Sequence, residues 1–245
     1  MNRFFLVASM LLASFFIMAQ NETEGYEFTV VKENPVTSIK NQANTGTCWS
    51  FAGVSFLESE LLRMGKGTHD LSEMYIVRRN YEDQARKYVR LHGSLNFSAG
   101  GSFADVFETI DEYGVVPENV YRGLEYGEEN HKHGEIDYLL KNYVDGVIAN
   151  RNRTLTPVWF KGYSSVLDTY FGEKPESFQY NEKSYTPQSL ATELGLKTDN
   201  YISMTSFTHH DFYTQYPFDV PDNWRWANSY NVPMDELIET MDNAI

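Results

Sequence analysis

Gln42-Ala43-Asn44-Thr45-Gly46-Thr47-Cys48-Trp49-Ser50-Phe51-Ala52 is the stretch on which the reading of this chain turns. A glycine turn feeds an apolar-periodic helix, and Cys48, the only cysteine among 245 residues, falls on the first turn of that helix. A sulfur placed there faces unpaired backbone N–H groups and the positive end of the helix dipole, which favour its charged, nucleophilic form. A single cysteine met elsewhere is most simply a small buried apolar side chain. The position suits a reactive sulfur, and the choice between the two readings rests on the rest of the chain. Phe51, Val54, Leu57, Leu61 and Leu62 then recur at helical spacing until Gly65 and Gly67 stop the helix. Burying such a stripe at roughly 2 kcal/mol per large side chain would hold the thiol in place.

Outward from this helix the pattern stays helical. Ser72 is placed to cap a second helix running to about Arg90, with Met74, Val77, Tyr81, Ala85 and Tyr88 inward. Gly100 and Gly101 precede a third, in which Phe103, Val106, Phe107 and Ile110 form one apolar face before Gly114. A hydrophilic stretch over residues 127–134 leads into a helix carrying Ile136, Leu139, Leu140, Tyr143, Val144 and Val147. Further helices are predicted from Pro157 to Tyr170 and from Thr186, as cap with Pro187 at the first helical position, to Gly195. Pro233 opens a last one with Leu237, Ile238, Met241 and Ile245 on one stripe. Strand signals are sparse, Phe28-Thr29-Val30-Val31 being one short strand-like run.

Three segments in the same order and spacing resemble the papain-like cysteine peptidases, and together they cover roughly residues 36–121. Gln42 precedes Cys48 by the interval of that family's oxyanion-hole glutamine, and Gly46 to Ala52 resembles its cysteine block. Leu71-Ser72-Glu73 looks like the family's Leu-Ser-Glu, and Ala99-Gly100-Gly101 followed by Phe103 to Gly114 looks like its Asn-Gly-Gly strip and helix. Within the family, Tyr185 to Leu190, Tyr201 to His210 and Asn231-Val232-Pro233 resemble the bleomycin hydrolase and aminopeptidase C branch. Thr45 and Ser98 stand where many papain-like enzymes carry a disulfide pair that this branch generally lacks.

The resemblance implies an α+β fold, predominantly helical in this chain, with the helical half of the papain-like architecture present and the β-barrel half largely missing. It implies that Cys48 is the nucleophile and that Gln42, with the Cys48 backbone N–H, stabilises the oxyanion. The competing reading of Gln42 is a hydrogen bond within its own loop. Trp49, Gly100 and Gly101 are implied to bind substrate, the glycines because a strip without side chains lets a peptide backbone lie along it.

A thiol peptidase also needs a histidine to carry the proton and an Asn to orient it. The six histidines are His69, His92, His131, His133, His209 and His210, and none precedes the Ala and apolar strand found after the family's catalytic His. His209 with Asn228 faintly echoes the pair; the simpler reading makes His209 and His210 loop residues of an aromatic segment. His131 and His133 alternate on a charged loop without the third ligand zinc needs, so no metal site is expected there, and no cofactor is expected. The last helix carries no glycine cap or closing proline. The expectation is therefore a peptidase domain over residues 20–245 that is the N-terminal part of a longer enzyme, with a branch-type insertion at about 122–230 and little turnover alone. A transglutaminase-like acyl transferase and an exported helical binding module with a buried Cys48 are the alternatives.

Residues 1–19 read as a signal peptide, with Arg3 before the apolar run Phe4 to Met18 and a cleavage point after Ala19. Periplasmic or secreted localisation follows, with no membrane anchorage once the signal is removed. The formal charge of -14 excludes nucleic acid and anionic membrane surfaces as natural partners, because acidic groups outnumber the cations that phosphates require. A peptide substrate is the expected partner. The 17 tyrosines and 16 phenylalanines suit large packed aromatic contacts or a surface for homo-oligomer formation.

Overall fold

The computed structural model describes residues 26–244, so the signal-peptide expectation at 1–19 lies outside the described residues. Helix α1 spans Cys48–Arg63, α2 Glu73–Arg90 and α3 Phe103–Tyr113. Helices α4 (Gly134–Ile148), α5 (Val158–Phe171) and α6 (Pro187–Leu194) follow, with the hairpin β1 (Phe178–Tyr180) and β2 (Lys183–Tyr185) between the last two. Strands β3 (Met204–Thr205), β4 (Gln215–Pro217) and β5 (Asn228–Asn231) precede α7 (Met234–Ala244).

The first three helices pack on one another, and α2 also carries α4 and α5. Val54, Leu57 and Leu61 of α1 are buried, while Phe51 and Leu62 of the expected stripe are half-buried. A Cβ at Gly53 would come within 2.6 Å of Val106 Cγ2, so the glycine is what lets α1 and α3 approach closely. Ser72 caps α2 by accepting from Tyr75 N at 3.0 Å. Met74, Val77, Tyr81, Ala85 and Tyr88 are all buried as the periodicity predicts.

Thr186 Oγ1 accepts from Ser189 N at 3.2 Å, while Ser189 Oγ accepts from Thr186 N at 2.8 Å, closing a reciprocal box at the start of α6. Gly195, left-handed at φ 75°, ends that helix. Thr186→Ala is expected to lower unfolding free energy by about 1 kcal/mol, measured as a shift in urea midpoint at unchanged slope. The β1–β2 hairpin turns through Asn181 and Glu182, both at positive φ, which matches the right-handed twist of the flanking strands.

The small sheet has the order β3-β5-β4, parallel between β3 and β5 and antiparallel between β4 and β5. Pro35–Ile245 forms one compact unit, in which residues 122–231 carry α4, α5, the hairpin, α6 and this sheet. The other unit, Met1–Asn34, is described only over 26–34, which form no helix or strand; the strand-like reading of Phe28 to Val31 does not hold. No described helix is long and apolar enough to cross a membrane.

Two faces differ from expectation. In α3 the buried side chains are Asp105, Val106, Thr109 and Ile110, while Phe103 is 46% exposed and Phe107 half-buried. The two phenylalanines pack instead with Phe56 and Tyr201. In α7 no side chain is buried, so the stripe Leu237, Ile238 and Met241 meets no core in this structure.

Candidate active site

Helix α1 begins at Cys48 itself, and the residue is exposed while its neighbours Thr47, Trp49 and Ser50 are buried. The reading in which the thiol is buried is therefore overturned. Two hydrogen bonds fix the helix start. Ser50 Oγ donates to Glu73 O at 2.9 Å, tying α1 to the first turn of α2, and Trp49 Nε1 donates to Ala99 O at 2.9 Å. The second brings Ala99-Gly100-Gly101 alongside the thiol-bearing turn. A Cβ at Gly46 would lie 2.7 Å from Ala99 Cβ, and one at Gly101 would lie 2.8 Å from the Trp49 ring, so side chains are excluded at both places.

Gln42 folds over the same turn. Its Nε2 donates to Thr45 O at 2.9 Å, and Thr45 Oγ1 donates back to Gln42 O at 3.2 Å. The loop hydrogen bond weighed as the competing role of Gln42 is thus present. It uses one of the two N–H bonds of the amide and leaves the second for another acceptor.

The turn is clamped from outside by residues 131–133. Asn44 N donates to His131 O at 3.0 Å and His133 N donates to Asn44 O at 3.1 Å, a bridge around Lys132. This corrects the expectation of a flexible charged loop. His133 is fully buried beside Phe171, at 5.2 Å between rings, and neither ring nitrogen has a partner. Burial, and secondarily His131, push its pKa down to about 4. His131 packs edge-on against Phe51 and is lowered by burial and then by Arg122.

Beside this clamp is a cavity of about 190 Å³ whose lining includes Lys40, Asp70, Glu73, Glu118, Arg122 and His131. Glu73 is 4% exposed with Oε1 unpartnered, and burial followed by repulsion from Glu58 raises it to about 7. Glu118 is raised to about 8 by burial and then by Glu73. The motif residue Glu73 is therefore an acid that keeps its proton well above the ordinary carboxylate range at the root of α2.

His209 and Asn228 are not joined by any hydrogen bond among the described residues. His209 packs with Phe207, His210 and Tyr216, whereas Asn228 lines a cleft of about 880 Å³ with Phe56, Phe103, Phe107 and Tyr201. His209, His210 and Asp219 each place one ligand atom within 4.8 Å of the others, the one such grouping among the described residues. His210 Nε2 lies 3.6 Å from Asp219 Oδ2, close enough for an ion pair when the ring is protonated.

Residues 218–227 escaped the sequence reading altogether. Arg225 fastens this segment through Nε to Asp105 Oδ1 and through a terminal nitrogen to Asp83 Oδ2, both at 2.9 Å, while Lys87 Nζ donates to Arg225 O at 3.0 Å. Buried Asn223 closes it internally with bonds to Phe218 O, Ala227 O and Ala227 N. Asp222 ends up over Gly100. The only advance signal was the cluster Trp224-Arg225-Trp226, an odd concentration of large side chains for a loop.

A family model described as papain family cysteine protease matches residues 26–195. Cysteine proteinase 2 of Entamoeba histolytica is 36% identical over 93 residues, covering 37% of this chain and 26% of that protein. Peptidase 1 of Euroglyphus maynei is 32% identical over 108 residues, covering 44% and 30% respectively. The chain thus spans about a quarter to a third of these curated relatives. The crystal structure of PepW from Lactobacillus rhamnosis HN001 superposes with a TM-score of 0.65 at 16% identity, over 86% of this chain and 57% of that one, a likeness of fold. An exposed cysteine opening a helix, a glutamine on its turn and a glycine strip pinned by the adjacent tryptophan agree with these matches: the chain belongs to the papain family of cysteine proteases.

Proposed function

We propose that this chain is the thiol-bearing part of an exported cysteine-type peptidase of the bleomycin hydrolase and aminopeptidase C type. Cys48 attacks a peptide carbonyl, a thioester forms with release of the amine, and water hydrolyses it. Gln42, through its second N–H, and the Cys48 backbone N–H stabilise the oxyanion of each tetrahedral intermediate. Trp49, Gly100 and Gly101 receive the substrate backbone. The observation that carries the reading is the exposed sulfur at the first residue of α1, with the Gln42 amide on its turn and a strip free of side chains beside it.

Turnover needs a proton carrier that this chain does not offer in usable form. His133 is buried and held neutral, and His209 has no hydrogen bond to Asn228. Residues 20–245 are therefore expected to react as a thiol but to hydrolyse amino-acid amides little. The test is native alkylation by iodoacetamide beside hydrolysis of amino-acid amides. Alkylation as fast in native as in urea-unfolded protein supports the thiol assignment; alkylation that becomes rapid only on unfolding defeats it. Robust hydrolysis lost in His209→Ala would overturn the view of the histidines.

A further inference from the structure

Two buried asparagines fix a pair of loops that meet beside β4. The Asn231 side chain is enclosed in the small sheet, where its Oδ1 accepts from Phe207 N at 2.8 Å and its Nδ2 donates to Phe207 O at 2.9 Å and His210 O at 3.1 Å. This holds the backbone that carries His209 and His210. Asn223 Nδ2 donates to Phe218 O at 3.1 Å and so fixes the residue before Asp219. Aromatic rings then set the imidazoles. His210 stacks on Tyr216 with 3.7 Å between ring centres and 22° between planes, and His209 stands edge-on to Phe207 at 5.3 Å.

The gap between the loops has the width of a metal site and not of a hydrogen bond. Among the described residues His210 Nε2 is a buried nitrogen without a hydrogen-bond partner, and it stands 3.6 Å from Asp219 Oδ2. A nitrogen-to-oxygen hydrogen bond would close to roughly 2.7–3.2 Å. Two ligand atoms each 2.0–2.2 Å from one tetrahedral zinc stand roughly 3.3–3.6 Å apart. One ligand atom from each of His209, His210 and Asp219 lies within 4.8 Å of the other two, and His209 is exposed, so turning its ring closes the remaining distance. Two imidazoles with one carboxylate suit zinc and its first-row neighbours, whereas calcium and magnesium take oxygen ligands. We propose that His209, His210 and Asp219 bind one zinc-class divalent ion, with solvent in the fourth position. The ion staples the loop at 207–210 to the start of the segment 218–227, which Asn223 and Arg225 fasten farther along. The site is independent of the chemistry at Cys48.

The test uses the full chain carrying Cys48→Ser, so that the sulfur cannot compete as a ligand. After stripping with EDTA it is titrated with Zn2+ by calorimetry and with Co2+ by visible absorption. One equivalent of Zn2+ is expected to bind, to displace Co2+ showing the intense visible bands of four-coordinate geometry, and to raise the urea midpoint; Mg2+ and Ca2+ should not compete. His209→Gln and Asp219→Asn change exposed side chains and should leave the urea midpoint in EDTA unaltered. Each is expected to weaken Zn2+ binding by about a hundredfold or more, since losing a ligand costs at least as much as losing the group behind one. Absence of one-equivalent binding would overturn the proposal and leave His210 and Asp219 as an ion pair only. Binding that keeps its affinity in both variants would overturn it as well, and would place the ion on other residues.

Discussion

Arg78→Met is expected to cost about 3 kcal/mol of unfolding free energy, the lower end of what removing one member of a buried ion pair costs. The Arg78 side chain is fully buried in α2, and one of its terminal nitrogens reaches Asp168 Oδ1 at 2.6 Å, Ser164 Oγ at 3.2 Å and Glu82 Oε1 at 3.3 Å. These contacts bolt α2 to α5. Glu82 is itself 4% exposed at its side chain, yet its pKa is lowered: burial works to raise it, and Lys174, Ser164 and Arg78 outweigh burial. Methionine fills much of the volume but leaves Asp168 without its cation and Glu82 with Lys174 and, at 3.7 Å, Arg79. Because Lys174 remains, the loss sits at the low end of the range. The double variant Arg78→Met, Glu82→Gln is expected to recover part of it, since no buried carboxylate is then left short of a cation. Urea midpoints of the three proteins check this. A single-variant loss under 1 kcal/mol, or a double variant worse than the sum of the two singles, would contradict it.

Arg78 also marks where the sequence stops being readable. Its neighbours Val77 and Tyr81 follow helical spacing and are buried, which periodicity predicts; the inward turn of an arginine between them depends on its closest acceptors, Asp168 and Ser164, which lie on α5 almost ninety residues on. The features read correctly are those whose causes are local: the start of α1 at Cys48, the Ser72 cap, and the Thr186, Pro187 and Gly195 boundaries of α6. The misreadings share a different origin. Phe103 and Phe107 belong by spacing to the core face of α3, but both pack on Phe56, and Tyr201, almost a hundred residues downstream, stacks on Phe107. His133 reads as solvated among charged residues and is buried because the Asn44 bridge pulls it onto Phe171. Asp222 carries no motif at all, and its seat over Gly100 emerges only when Arg225 is seen fastened to two helices.

The cysteine-bearing helix is backed by the acidic cavity through the Ser50 to Glu73 bond, which makes pH the second strong lever on this molecule. Stability is expected to fall by on the order of 2–3 kcal/mol between pH 6.5 and 8. Glu73 and Glu118 have folded pKa values of about 7 and about 8, against 4.5 when free. A carboxyl group raised on folding stabilises the native state below the unfolded value, and that contribution is lost as pH climbs through the folded one. The native state then holds more protons than the unfolded state, and stability drops by about 1.4 kcal/mol per pH unit for each proton of difference. His133 acts with the opposite sign. Its folded value of about 4 lies below the ordinary 6.5, so its contribution is complete above 6.5 and is lost as pH falls toward 4. Above pH 6.5 the histidine is therefore silent and the carboxyl loss stands alone. Between 4.5 and 6.5 two carboxyls outweigh one imidazole, so stability already declines with rising pH there, more gently than above 6.5. Glu118→Gln should remove more than half of the alkaline loss, because Glu118 stays protonated over the wider span of pH. Urea midpoints at pH 5, 6.5 and 8.5 on both proteins measure the effect. A flat profile above 6.5, or a Glu118→Gln profile parallel to that of the unaltered chain, would show that the cavity beside the thiol-bearing helix does not hold its carboxyl groups neutral.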